Sequence, residues 1–320
     1  MFKRMSLALA VAGAQLVVAQ AAELKDFPAQ THWVLTVDVK AAQAAPLINY
    51  VVDQMEAKKR QEAAAKLAAV KALFGVDLIK DIDQLVIAGN GDAEKGGVAY
   101  VYGRFDAQRL TTILAGAKNY ASADHYGVAV QSWLDEKDNK QKCLAFAKPG
   151  LAVLSNTPGA ITDALDVLAG TKAGLTADSP LSGAFERQAQ NLLAVHAYGL
   201  SSIVGAAPKA EALKQAEALS LCVSTPDAES ISASMAVTAT SEATALQIQQ
   251  ALMGIQAIAL LRGAEAPEAA ALASMAKIDC QNRTVSVTLA LPKALIESAL
   301  RAREAREAAK AATAAPAQTN

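Results

Sequence analysis

Three cysteines, three histidines and 4% aromatic residues in 320 positions leave few of the side chains on which most protein chemistry depends. Cys143, Cys222 and Cys280 show neither the CxxC spacing of a redox site nor the spacing of a zinc site. His32, His125 and His196 are too far apart in sequence to share one helix or strand as metal ligands, so no metal and no cofactor are expected. Charge of one sign is missing as well. The 30 Lys plus Arg offset 31 Asp plus Glu, and a net charge of −1 supplies no field for holding phosphates, so nucleic acid is not an expected partner. What the chain has in quantity is apolar matter, 52% of its residues, which excludes wholesale disorder. Much of it is alanine. The core should therefore be built from aliphatic stripes on alanine-rich helices rather than from aromatic clusters.

The N-terminus reads as an address. Phe2-Lys3-Arg4 is a positive start, Leu7 to Val18 an apolar run, and Ala19-Gln20-Ala21 a small-x-small cleavage pattern. Residues 1–21 are expected to be a signal peptide that is cleaved after Ala21, placing the protein in the periplasm or outside the cell. A retained anchor is the competing reading, but the run is short for a membrane span and holds Gly13 and Gln15. In an oxidising compartment three cysteines leave at least one unpaired. Buried thiols acting as small hydrophobes are expected, and a Cys222–Cys280 bridge stays open.

Two stretches of the chain can be laid over each other. Leu151 to Leu165 matches Val285 to Leu295, with Pro158 on Pro292, and each reads as a strand followed by a helix opened by proline. Asp92-Ala93-Glu94 falls on Asp227-Ala228-Glu229, each between strand-like runs: Leu85 to Gly89 with Val98 to Arg104, and Leu219 to Val223 with Ile231 to Thr238. Trp33 to Val37 matches Leu193 to Ala197 at a larger offset, attributed to a charged helical insertion near 56–73. Each copy reads strand, helix, strand, strand, helix, strand, strand, helix. The expected fold is α+β. It comprises two tandem related units of antiparallel sheet with helices on one face, in a ferredoxin-like order of elements. The units are placed at 22–178 and 188–300, with a seam near Gly174, Pro180 and Gly183 and a fraying helix and disordered tail over 301–320. A single sheet shared by both units is also open. The run Pro28-Ala-Gln-Thr-His-Trp-Val-Leu-Thr-Val-Asp-Val39 resembles the opening of uncharacterised exported bacterial proteins built from repeated α/β units. That resemblance implies export and repetition but carries no catalytic residue to any position here.

Catalytic patterns are missing. Gly199-Leu-Ser-Ser-Ile203 lacks the second glycine of a nucleophile elbow, and Gly89-Asn-Gly91 and Gly96-Gly97 lack the Lys-Ser/Thr of a phosphate loop. Both read as local structure, a helix cap and a hairpin connection. Asp77, Asp81 and Asp83 fail the calcium-loop pattern and read as a solvated helix end. His196 is expected to be a satisfied strand histidine, and His32 and His125 to be surface residues.

One element is awkward for a simple core. In Ala243 to Leu261, Ile248, Leu252, Ile255 and Ala259 make one stripe, while Met253, Ile258, Leu260 and Leu261 widen the apolar surface well beyond a single face. Gln247, Gln249, Gln250 and Gln256 argue against a membrane span, so no transmembrane segment is expected after signal cleavage. The neighbouring Pro267 to Met275, the other unit, another subunit or a lipid-like ligand are the candidates to cover Met253, Ile258, Leu260 and Leu261, with cover from within the chain preferred. No enzyme is expected. The reading is an exported, non-catalytic binding or envelope-organising protein with a protein partner or apolar ligand. A carrier of a lipid-like molecule and a hydrolase with an unrecognised site stand as alternatives.

Overall fold

The computed structural model describes residues 22–54, 57–91, 97–185, 191–200 and 215–314. The expected signal segment, Asp92-Ala93-Glu94 and Ser201 to Ile203 lie outside the described residues. The chain is α+β. Its first half runs β1 (Trp33–Asp38), α1 (Val39–Ala44), α2 (Pro46–Asp53), α3 (Ala57–Phe74), β2 (Ile82–Gly89), β3 (Val98–Gly103) and α4 (Ala107–Leu114). It continues with β4 (Ala121–His125), β5 (Val128–Asp135), β6 (Lys140–Lys148), β7 (Leu151–Ser155) and α5 (Pro158–Leu168). The second half holds β8 (Asn191–Tyr198), β9 (Ala216–Asp227), β10 (Ser230–Ala239), α6 (Glu242–Leu261), α7 (Pro267–Met275), β11 (Lys277–Gln281), β12 (Thr284–Pro292) and α8 (Lys293–Ala314).

All twelve strands join one antiparallel sheet in the order β11-β12-β10-β9-β8-β1-β2-β3-β7-β6-β5-β4. The ladder at its middle pairs Trp33–Val37 with Ala197–Leu193, so the two halves share a sheet through their first strands. A ferredoxin-like plait is built from split βαβ units, in which helix-linked strands run parallel with another strand between them. Here β1 and β2, linked by α1 to α3, are direct antiparallel neighbours, and the spatial order departs from that plait. The first half also holds an additional hairpin, β4–β5, at the edge of the sheet.

The helices do not share one face. Strand alternation puts Tyr100 and Tyr102 together on one side of β3, fully buried, and Val101 on the other. The tyrosine face packs under α5 through Ile161, Ala164 and Leu165, and under Phe27, which meets Tyr100 edge-on at 4.7 Å. Following the ladders Trp33, Ala197, Leu219, Val237 and Val285 across the sheet keeps to the opposite side, and there Val285 packs with Ala245 of α6. Adjacent residues on a strand point to opposite faces, so α5 and α6 cover different sides. The Gly- and Pro-bearing segment after α5 is no loose seam. Leu175 and Leu181 are buried in the first core, and Gly174 lies so close to the Lys25 carbonyl that a side chain would not fit.

Local chemistry explains the boundaries. Asp38, Asp106, Thr157 and Ser241 each cap a helix by accepting a backbone N–H three residues on. Pro158 is the first residue of α5, but Pro292 closes β12 instead, paired with Ser230, and the following Lys293 N–H donates to Glu229 O at 2.8 Å. The tight turn at Pro149-Gly150 and that at Asn282-Arg283 use positive φ at Gly150 and Asn282. Gly89 and Gly97 make room for the Trp33 indole, whose ring atoms would lie 2.7 and 3.1 Å from a Cβ at either position. Gly89 and Gly97 thus serve packing.

At Gly103 a Cβ would overlap the Asp81 carbonyl, whereas at Gly159, inside α5, nothing lies within 4 Å. Gly103→Ala is expected to destabilise the fold by about 1–3 kcal/mol or more. Gly159→Ala is expected to stabilise it by about 0.4–1 kcal/mol through reduced unfolded-state entropy. Urea-denaturation midpoints of the two variants should therefore move in opposite directions.

Candidate functional site

The apolar helix flagged by its sequence is α6, and its seating on the sheet is narrow. Ser241 accepts the Thr244 N–H at 3.1 Å and starts the helix. From there Ala245, Ile248 and Leu252, at spacings of three and four, pack on Val285, Ile278 and Cys280. Only Ala245 is fully buried. Gln256 is not a solvent-facing interruption. Its amide donates to Ala273 O at 2.7 Å and Ala276 O at 2.9 Å, tying down the C-terminal end of α7.

The remaining surface of α6 is open. Leu246, Met253, Ile255, Ile258, Leu260 and Leu261 are 45–86% exposed. Two expectations are corrected. Ile255 is 64% exposed and belongs to the open set rather than to the core stripe: at 100° per residue it lies about 80° from the fully buried Ala245, at the rim of the seated face. Although α7 packs alongside α6, it leaves Met253, Ile258, Leu260 and Leu261 uncovered. Leu246 was missed by sequence reasoning, although its seven-residue spacing to Met253 and Leu260 places all three on one line along the helix. The helix is 20 residues long, uncharged from Ala243 to Leu261, and by length and composition the one described helix apolar enough to cross a membrane.

The other candidates resolve into structural roles. His32 is half-buried, with Nδ1 2.8 Å from Asn90 O and its ring edge-on to Tyr198 at 4.9 Å, so it is not a surface residue. Nor is His125. It ends the edge strand β4, and Nε2 lies 2.7 Å from Asp166 Oδ1 of α5. His196 is half-buried in β8 between Val34 and Ser220. Asp77 Oδ1 accepts the N–H groups of Ile79 and Lys80 at 3.2 and 3.1 Å, and Asp81 and Asp83 face Arg104 at 3.6 and 3.9 Å, which makes the acidic cluster a turn with its counter-charge. No group of three metal-ligating side chains occurs among the described residues. The Cys222–Cys280 alternative fails on geometry. The two thiols are free, lie on opposite faces of the sheet, and belong to strands separated by β10 and β12.

Four acid–base groups meet between the β4 edge and α5. Lys172 pairs with Asp166 at 2.9 Å and with Asp163, and Asp166 also receives His125. The hydrogen bond from Lys172, and then that from His125, hold the Asp166 carboxyl below its usual range, while Asp163 and Asp166 raise Lys172. This group ties the edge hairpin to the helix.

No protein-family model matches the chain, and no curated protein matches it. Among solved structures, crystal form III of TP0453 is similar at 12% identity with a TM-score of 0.49, covering 88% of this chain and 98% of that one. Crystal form I of TP0453 gives 9% identity and a TM-score of 0.50, covering 88% and 96%. Likeness at such identity concerns the fold, a mixed α+β architecture with an antiparallel sheet, and says nothing of the site.

Because its folded pKa is depressed, Asp166 contributes stability above the ordinary carboxylate range, and that contribution is lost as pH falls through the lowered value. Asp166→Asn should lower the urea midpoint at neutral pH, and the gap to wild type should begin to narrow below about pH 4 and close only beneath the lowered value. A gap that persists unchanged at acid pH would show that the charge is not what matters.

Proposed function

We propose that this chain is a non-catalytic protein of the cell envelope, built from two related halves, that docks on lipid through the open surface of α6. Export is read from Lys3, Arg4 and the Ala19-Gln20-Ala21 pattern. Relatedness of the halves draws support from the strand order. Counting outward from the central ladder gives β1, β2, β3, β7, β6 on one side and β8, β9, β10, β12, β11 on the other, and the sequence matches fall on equivalent strands. Trp33–Val37 and Leu193–Ala197 lie in β1 and β8, and Leu151–Ser155 and Val285–Leu291 in β7 and β12.

The observation that carries the lipid reading is the angular spread of the exposed side chains. Leu246, Met253 and Leu260 line one side of α6, Ile255 and Ile258 another, and Leu261 a third. A single partner helix covers a stripe of about 100° and would leave the rest in water. Acyl chains impose no register and cover every side, being as apolar as leucine. Docking is favoured over enclosed carriage. The apolar groove between α7 and α8, bordered by Leu272 and Leu295, holds about 250 Å³, below the range of about 300–1,000 Å³ that closes around a ligand. Since Ala243 to Leu261 contains no Lys or Arg, attraction to anionic headgroups contributes little, and binding should be insensitive to salt.

Flotation with phosphatidylcholine vesicles tests this. Wild type should float at low and high salt alike, and Met253→Glu combined with Ile258→Glu should reduce partitioning at least about tenfold with unchanged far-UV circular dichroism. Wild-type protein that stays folded and fails to float would end the reading.

A further inference from the structure

The sheet has two ends, and they meet solvent differently. An unpaired edge presents a row of N–H and C=O groups, which proteins guard with Lys, Pro or a bulge. β11 opens on an exposed Lys277, and its Ile278 and Cys280 pack under α6. β4, Ala121-Ser-Ala-Asp-His125, carries no Lys or Pro, and its ladder to β5 runs without a shift from Ala121–Ser132 to His125–Val128. Ala121 to Asp124 are exposed, and no described strand pairs with their outer side. The Asp124 carboxyl is turned back on its own hairpin, where Oδ2 accepts the Gly127 N–H at 3.1 Å. At the tip Tyr126 is 80% exposed with φ 52°, a conformation uncommon for a bulky residue, and its ring stands edge-on to His125 at 4.7 Å.

Backbone alternation defines what this edge can take. The two-residue turn Tyr126-Gly127 makes His125 and Val128 a hydrogen-bonded pair, so Ala121, Ala123 and His125 bond inward to β5. The N–H and C=O groups of Ser122 and Asp124 therefore face outward. We propose that β4 pairs antiparallel with β4 of a second copy of this chain, about a two-fold axis at Ala123. There Ser122 of each copy stands opposite Asp124 of the other, and each pair exchanges both backbone bonds. Other axes serve worse. One at Ser122 sends Asp124 to Tyr120, whose N–H is already donated to Ala117 O at 3.2 Å, and one at Asp124 sets two carboxylates directly opposite. At Ala123 the axis meets only a small side chain, and it brings the exposed Tyr126 opposite the half-buried Tyr120 of the other copy, an aromatic cross-strand pair on each side. The strand is thus complementary to itself. Pairing takes place at the end of the sheet away from α6, so it is independent of lipid docking.

A five-residue ladder buries less than a standard interface of about 1,600 Å², so association should be weak. Sedimentation velocity of the mature chain, without lipid, should show a reversible monomer–dimer equilibrium between about 1 μM and about 1 mM. Ser122→Pro removes an outward N–H and leaves the ladder to β5 intact, and Ala123→Lys sets two ammonium groups face to face. Each should weaken dimerisation at least about tenfold with unchanged far-UV circular dichroism. Register is read by cross-linking. With diamide as oxidant Ala123→Cys should form a disulfide dimer, since non-hydrogen-bonded partners lie about 4.5 Å apart. Ala121→Cys, about 14 Å from its own copy, should match the background from Cys143, Cys222 and Cys280 in wild type. The proposal is overturned if wild type stays monomeric to about 1 mM, if Ser122→Pro and Ala123→Lys, both folded, dimerise as wild type does, or if Ala121→Cys cross-links as readily as Ala123→Cys.

Discussion

The antiparallel ladder between Trp33–Val37 and Leu193–Ala197 is the constraint on which the rest of the architecture hangs. It joins the first strand of each half edge to edge, so neither half has an exposed inner edge and the sheet ends only at β4 and β11. Because the ladder is antiparallel and side chains alternate, it also carries the identity of each face from one half to the other. The side holding Tyr100 in the first half continues through Ala194 and Cys222 to Ser234 and Thr288 in the second.

The two ends of that face differ sharply. In the first half it holds tyrosine, valine and leucine, and α5, Phe27, Leu175 and Leu181 close over it. On β9, β10 and β12 of the second half that face carries mainly small or hydroxyl-bearing residues, among them Ser220, Cys222, Ser234, Ser286 and Thr288. The aliphatic positions there, Val237, Val285 and Ile278, point to the other side, beneath α6. Packing is consequently strong in one half and thin in the other, where α6 rests on a narrow row of alanine, isoleucine and leucine. An exposed apolar helix and a small core are two aspects of one fact: among the described residues of the second half, no layer lies outside α6.

Much of this was legible in particular residues. Pro158 marked the start of α5, and the surplus of Met253, Ile258, Leu260 and Leu261 was visible as more apolar surface than one sheet can use. Ile255 was misplaced, since a helix that is apolar nearly all round does not announce which row meets the sheet. His32 and His125 were taken for surface groups, because their partners, Asn90 and Asp166, are 58 and 41 residues away in sequence.

By itself the sequence determined what is local. Period, capping residue and turn chemistry act within a few residues, so α+β character, most strands and the anomalous composition of α6 follow from neighbours along the chain. Only the tertiary structure decided which strands adjoin, that helices occupy both faces of one sheet, and that Cys222 and Cys280 stand on opposite sides. These depend on contacts between residues far apart in the chain, where register and coverage are settled by the packing of whole layers rather than by any residue's own preference.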